Sequence, residues 1–516
     1  MTHSLNESEA VMSQPLGTTS FHQRRTTRFP GGVLMLSFAE FWERFSFYGM
    51  LAILALYVTA SVQDGGLGWS DQAGLGFYGL CNGMAFISPL LGGWIAHTRF
   101  GEKRCVLLGG LFIALGNGFI ASPPLIYELY QFMFGVDFAH LLTQSGVPLG
   151  YILDGRSLAI IGENATKFGA DKDIAVAAYL TVSLSFYIGI ATIIAGTGLW
   201  KPTVTSLIGR FYDLKDPRRD SAYALFLLAI SLGAIIGTAV IGFYSERVSW
   251  ALGFAVAGIG MAVGLLVYVL RQGRYMANLV DEPEEASTGE VEAPSSSVER
   301  ARVERDRLKA LIIINLFAVI YCVVVFQGGL VALLAKTHVD RLRWGWEIPS
   351  SWFWMMNSIV FMVLAPILAW LWEKFAHRGR PVWAFRRLLF GLIAGGLAHL
   401  TMAYPLLFMH YPEHHLVSPA WLLTMTFLFG VGEAFAWAGV MSFVTRLVPR
   451  NLSSVAMGSA YFAMGVGAWV GSSIAALSYT IGTTQILLAF AGMAFTAAAL
   501  LWALGPRISR LSHGME

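Results

Sequence analysis

Charge is scarce in this sequence. Only 13% of its 516 residues are Asp, Glu, Lys or Arg, about half the share that a soluble protein carries. Cysteine is nearly absent: Cys81, Cys105 and Cys322 stand in or beside apolar runs, with neither metal-ligand spacing nor a disulfide pattern. There is no Walker loop, haem-type motif, metal cluster or nucleophile elbow. No catalytic site, metal or cofactor is therefore expected, and no nucleotide source of energy is visible. The net charge of +3 says little by itself, and no nucleic-acid partner is expected. The polar stretch 1–32, followed by a long and charged apolar run, lacks the layout of a secretory signal. What fills the chain instead is apolar: 56% of residues are hydrophobic and the mean hydropathy is +0.60, the composition of an integral membrane protein.

Runs of about twenty apolar residues mark membrane helices. Twelve are read here, centred in 33–60, 73–97, 104–121, 174–199, 221–243, 250–270, 309–335, 351–372, 386–405, 419–444, 454–478 and 484–504. With both termini cytoplasmic, 26 of the 35 Lys and Arg residues fall on the inner side, seven outside and two, Arg44 and Lys201, within spans. The excess of inner positive charge fixes that orientation as the expected one. The division expected is a cytoplasmic tail at 1–32, a six-helix bundle at 33–271, a polar linker at 272–308, a second six-helix bundle at 309–505 and a tail at 506–516. The first bundle holds an external insertion at 122–173, where PPLIYELYQFMFGVDFAHLL has amphipathic helical character. The linker begins as DEPEEASTGEVEAPSSS, a disordered composition, and its second part reads as a short charged helix.

Against this apolar background the few charges inside spans stand out. The stretch FAEFWERFSFYGMLAILALY (Phe38–Tyr57) carries Glu40, Glu43 and Arg44. A central charge costs roughly 2.5–3.5 kcal/mol on insertion, so three cost on the order of 8–10 before neighbours offset them. Glu40 and Arg44 are spaced i,i+4 with the acid first, the better order for a pair on one helix. Phe47, Tyr48 and Leu51 continue the same face. Lys201, in GTGLWKPTVTSLIG, must find an anion, a carbonyl or water. Glu433, in FGVGEAF, is a membrane carboxylate among glycines and aromatics, and Asn357 is a single amide in a very apolar helix. Ionisable groups in such places mark functional sites by default, and an amide marks either a site or an interhelical hydrogen bond.

EFWERFSFYGM resembles the ExxERFxYYGM signature of proton-dependent oligopeptide transporters, a branch of the major facilitator superfamily. Other segments extend the likeness. GTGLWKPTVTSLIG resembles the family's GTGxxKPxVxxxxG helix, FLLAISLGAIIG its FYxxINxG pattern, and VVVFQGGL its FEQxG element. Asn357 matches the asparagine of LNPxF, Glu433 a GE glutamate, and Tyr461 the place of a tryptophan. The resemblance implies an all-α membrane protein with twelve helices in two six-helix bundles. It implies proton coupling through Glu40, Glu43, Arg44 and Lys201. Arg44 and Lys201 would hold a substrate carboxylate, Glu433 and Asn357 its amine, with Tyr48, Ser231 and Tyr461 beside them.

The departures are as informative. Ser231 replaces the family's asparagine. Leu51 and Phe326 replace an arginine and an acid that pair across the bundles, so the pair is lost as a unit. His97 and Thr98, in GGWIAHTRFGEKR, stand where a loop motif has Asp and Arg, which implies a weakened or rewired latch.

The expectation is therefore proton-coupled uptake of di- or tripeptides by alternating access in the cell membrane, by a monomer driven by the proton gradient. One alternative keeps the fold and moves a modified peptide, another zwitterion or an organic anion. Another is a transporter-like receptor or scaffold that uses segment 122–173.

Overall fold

Capping side chains set where many of the helices begin. Ser70, Asp171, Ser249 and Ser418 each accept a hydrogen bond from a backbone N–H two or three residues ahead, which satisfies a donor that the first turn leaves free. The computed structural model describes residues 29–150, 155–212, 216, 218–276, 297–378, 383–409, 416–448 and 453–513. Its helices are α1 (Gly31–Thr59), α2 (Asp71–Ile95), α3 (Glu102–Ala121), α4 (Pro123–Phe134), α5 (Phe138–Ser145), α6 (Gly155–Lys167), α7 (Lys172–Gly209), α8 (Arg218–Arg247), α9 (Trp250–Tyr275), α10 (Ser297–Val325), α11 (Gly328–His338), α12 (Trp352–His377), α13 (Ala384–Phe408), α14 (Pro419–Arg446), α15 (Ser453–Ala476), α16 (Ser478–Ile481) and α17 (Thr483–Ser512). A two-stranded hairpin, β1 (Leu342–Arg343) with β2 (Trp346–Glu347), joins α11 to α12.

Among the described residues, eleven helical stretches are long and apolar enough to cross a membrane, with α10 and α11 counted as one. The 29 residues of α1 match them in length, and its three central charges are what set it apart. Outward-facing Leu91, Ile259, Leu270, Ile312 and Trp502 each expose more than half their surface, as a lipid-facing shell requires.

Packing falls into two groups. Helix α1 lies against α8 and α9, α3 against α7 and α9, and α2 against α7; among the later helices, α13 packs on α14 and α17, and α10 on α15 and α17. The groups meet mainly where α2 packs on α15, α8 on α12 and α1 on α11, with lesser contacts of α2 to α11 and α16. The hydrophobic core is divided likewise, with one large cluster from α10–α17 and two from α1–α9. Glycine lets the backbones meet. A Cβ on Gly237 of α8 would overlap the Phe45 carbonyl of α1, and one on Gly83 of α2 would lie 2.7 Å from the Gly465 carbonyl of α15.

Several boundaries differ from the sequence reading. The apolar run 309–335 is broken: Gln327 interrupts the helix with φ −110° and ψ 31°, where Gly328 and Gly329 receive the Tyr78 ring of α2. The expected tail at 506–516 starts later, because α17 continues through Pro506 and keeps Ile508 and Ser512 buried. The charged second part of the linker is no separate helix but the start of α10. The first 28 residues and 277–296 of the linker lie outside the described residues. Segment 122–173 holds three helices, α4–α6, tied down by hydrogen bonds from Trp69 Nε1 to Leu149 O (2.5 Å), Tyr179 Oη to Pro148 O (2.8 Å) and Tyr187 Oη to Gly150 O (2.9 Å).

At the end of the bundle where α1 reaches Thr59, Glu246 of α8 accepts from Ser350 N (2.7 Å), Ser351 N (2.9 Å) and Ser351 Oγ (2.6 Å) at the start of α12. Trp352 Nε1 donates to Ala239 O at 3.0 Å beside it. In the adjoining loop the Arg343 guanidinium, 2.6 Å from Asp340, holds that carboxyl below the ordinary carboxylate range.

Substituting Gly237→Val should lower the melting temperature of the detergent-solubilised protein by several degrees, because overpacking costs about 1–3 kcal/mol. Gly492→Ala, which faces open space, should leave it unchanged. Thermal unfolding followed by size-exclusion chromatography reads both.

Candidate functional site

Glu40, Glu43 and Arg44 occupy less than two turns of α1, and the fold encloses all three, with 1%, 0% and 6% of their surface exposed. Arg44 Nε donates to Glu40 Oε1 at 2.7 Å and lies 2.9 Å from Glu43 Oε2. From α7, Trp200 Nε1 donates to the other Glu40 oxygen, Oε2, at 2.8 Å. Glu40 thus has a donor on each oxygen. Neither Glu43 oxygen has a hydrogen-bond partner of good geometry. The i,i+4 pair read from the sequence is present; the indole that completes it comes from 160 residues away and had no signal in the sequence.

Lys201 follows Trp200 on α7. Its Nζ donates to Ala85 O of α2 at 3.3 Å and sits over the Phe47 and Phe86 rings at 4.6 and 4.4 Å. Among the described residues no ion pair joins it to a carboxylate. Its partners are a carbonyl and two π faces, which stabilise an ammonium without neutralising it. Pro202 beside it cannot donate to Gly198 O four residues back, and α2 comes closest to that carbonyl at Gly92.

A cleft lies between the two groups of helices. Tyr48 and Leu51 of α1, Ser231 of α8 and Asn82 of α2 line it from one group; Phe326, Trp354, Asn357 and Glu433 line it from the other. The fold therefore brings Tyr48, Ser231, Asn357 and Glu433 to one space. Arg44 and Lys201 are outside that lining, and Lys201 reaches it through Phe86, which is part of the wall. Tyr461, on α15, exposes 37% of its surface and is also outside the lining. Asn357 lies beside Glu433, yet its Nδ2 has no hydrogen-bond partner of good geometry. Sequence reasoning missed Tyr78, Asn82, Phe86 and Trp354. Asn82 carried the same signal as Asn357, one amide in an apolar helix.

Leu51 and Phe326 line the same cleft, and Phe326 stacks on Phe86 with centroids 5.9 Å apart. The lost charge pair is replaced by apolar wall. In the π-helical turn Ala96–Phe100 that continues α2, His97 and Thr98 are exposed. Glu102 instead accepts from Ser206 Oγ of α7 (2.5 Å) and from Nη1 of Arg210, the residue after that helix (2.9 Å), so that network ties helices of the first group together.

The arrangement places cations, Arg44 and Lys201, on the α1–α7 side of the cleft and one acid, Glu433, on the opposite side. Known proteins resemble this chain over most of its length. The sequence model of the POT family matches residues 151–285 and 270–490. The uncharacterized transporter YclF of Bacillus subtilis (strain 168) is 26% identical, over 94% of this chain and 96% of its own. The di-/tripeptide transporter of Lactococcus lactis subsp. cremoris is 24% identical, over 83% of this chain and 85% of its own. The crystal structure of a peptide transporter POT in complex with sulfate superposes with a TM-score of 0.74 at 24% identity, covering 95% of this chain and 97% of that one. At that identity the structural likeness is one of fold.

Arg44→Ala should cost about 3–5 kcal/mol by leaving two acids buried without their cation, read as a sharp fall in the yield and melting temperature of monodisperse protein. The combined change Glu40→Gln, Glu43→Gln, Arg44→Met removes the cluster as a unit and should restore most of that stability.

Proposed function

This chain belongs to the POT family, and on that footing we propose that it carries di- and tripeptides across the cell membrane by alternating access, driven by a proton gradient. Both termini are cytoplasmic in this reading, as the placement of Lys and Arg requires, and the Thr59 end of α1 faces outward. The observation that carries the reading is the cleft between the two groups of helices, with unneutralised Lys201 near one wall and Glu433 in the other. A zwitterion with separated ends fits that polarity. Its carboxylate goes to Lys201 and Arg44, its amine to Glu433 and the Asn357 Oδ1, and Tyr48, Ser231 and Tyr461 serve as neutral contacts.

Coupling runs through α1. Glu40 is held by two donors and acts as the fixed partner of Arg44, whereas Glu43 lacks hydrogen bonds and exchanges the proton. With Glu43 charged, Lys201 and Arg44 are drawn to it and release the substrate carboxylate. With Glu43 neutral, Lys201 is free to hold the substrate, and Arg44, still bound to Glu40 through Nε, offers its remaining N–H groups. Proton and peptide thereby load together, and each favours the same state of the carrier. The outer seam at Glu246 and the α12 N-terminus opens and closes as the cleft changes face.

Uptake of a radiolabelled dipeptide into proteoliposomes tests this. An inward proton gradient should stimulate uptake by the parent, while Lys201→Ala and Glu433→Ala should abolish it and Glu43→Gln should uncouple it from the gradient. Uptake indifferent to the gradient would make the protein a facilitator that lost coupling with its charge pair. No uptake of any peptide would overturn the choice of cargo.

A further inference from the structure

Two side-chain amides face the cleft from opposite sides, and each has one hydrogen-bonding atom left over. Asn82, on α2, is 4% exposed and its Oδ1 has no partner; Asn357, on α12, is also 4% exposed and its Nδ2, beside the Glu433 carboxylate, makes no hydrogen bond of good geometry. Both residues line the cleft. Buried polar atoms without partners are rare in folded proteins, and these two are an acceptor and a donor. Their positions on the helices are regular. Tyr78, Asn82 and Phe86 follow one another at i, i+4 and i+8 on α2, and Trp354, Asn357, Ser358 and Phe361 form the facing stripe of α12.

An acceptor on one wall and a donor on the other is the complement of a single amide group, which offers one N–H and one C=O on opposite edges. The order of groups along a dipeptide fits the order of groups around the cleft. The first carbonyl lies one atom beyond the α-carbon that bears the amine, so Asn357 reaches the amine with Oδ1 and that carbonyl with Nδ2. The peptide N–H comes next, and then the carboxylate. On the protein, Asn82 is one turn of α2 from Ala85 and Phe86, the residues that carry Lys201 Nζ. The remaining wall, Leu51, Phe86, Phe326, Trp354 and Phe361, is apolar or aromatic and has no means of replacing a lost polar contact.

Resting on the peptide-transport reading, we infer that Asn82 is a specificity-determining residue that accepts the hydrogen bond of the substrate's peptide N–H, while Asn357 donates to the adjoining carbonyl, so that the cleft selects ligands with an amide between their charged ends. An unpartnered polar atom facing a cleft takes water before a ligand arrives. A ligand that displaces it without supplying an N–H leaves the Asn82 oxygen buried and unpaired, and ketone- or ester-linked zwitterions are rejected on that ground.

The experiment compares L-Ala-L-Phe with its depsipeptide, in which an ester oxygen replaces the peptide N–H. Binding to the full-length detergent-solubilised chain is measured for the parent, Asn82→Leu and Asn82→Asp. The parent should prefer the peptide by about tenfold, the scale of one buried hydrogen bond made or left unpaired. Asn82→Leu should bind the peptide less well than the parent and the ester no worse, so that the preference is lost. Asn82→Asp, which keeps an acceptor, should retain the preference. Equal binding of the two compounds by the parent overturns the inference, even where a variant fails to fold. An unchanged preference in Asn82→Leu overturns it too. Binding of neither compound overturns the peptide reading beneath it, a result separate from equal binding.

Discussion

The structure depends on keeping three charges inside a membrane helix. Glu40, Glu43 and Arg44 are tolerable on α1 only because they answer one another and because α7 brings the Trp200 indole to the free oxygen of Glu40. That requirement orders much of what surrounds it. Helices α1 and α7 must be held in fixed register at this level, and α8 and α9 must cover α1 closely enough to exclude water. Gly233 and Gly237 permit that cover, since side chains there would collide with the Phe41 and Phe45 backbone. A site that stores uncompensated polarity needs a rigid frame, and the frame here is close helix contact through glycine.

The same region shows how a transporter site departs from the economy of a folded core. A core would satisfy both acids; this cluster satisfies one. A core would pair Lys201 with a carboxylate; here it has a carbonyl and two aromatic faces. Glu43, Asn82 and Asn357 are among the described buried residues with polar atoms left without a hydrogen bond of good geometry, and Asn82 and Asn357 line the cleft. Incomplete satisfaction of this kind is where local rules are expected to fail for the sake of function. Leu51 on one wall and Phe326 on the other are apolar where the family resemblance implies a charge pair. Discrimination along the middle of the cleft then falls to amides and aromatics.

A membrane chain exposes its helices in its sequence because the bilayer demands about twenty apolar residues per crossing. Existence and order of the spans were therefore legible, as were the charges within them, each of which is costly enough to need a reason. The broken helix at Gln327 was less legible. Glycines at 328 and 329 were visible, but their cause, the Tyr78 ring of another helix, is a tertiary contact. The extension of α17 past Pro506 was hidden for the same reason, because burial of Ile508 outweighs the proline.

Sequence by itself determined the membrane setting, the number of spans, the i,i+4 pair of Glu40 and Arg44, and the candidate roles of Lys201 and Glu433. These follow from periodicity and from the cost of charge in lipid, both local properties of the chain. Only the tertiary structure decided which side chains share a space. It brought Asn82 opposite Asn357, seated Trp200 on Glu40 and left Lys201 without an acid. Those relations join residues up to several hundred positions apart, and their energies come from packing geometry, which no run of consecutive residues encodes.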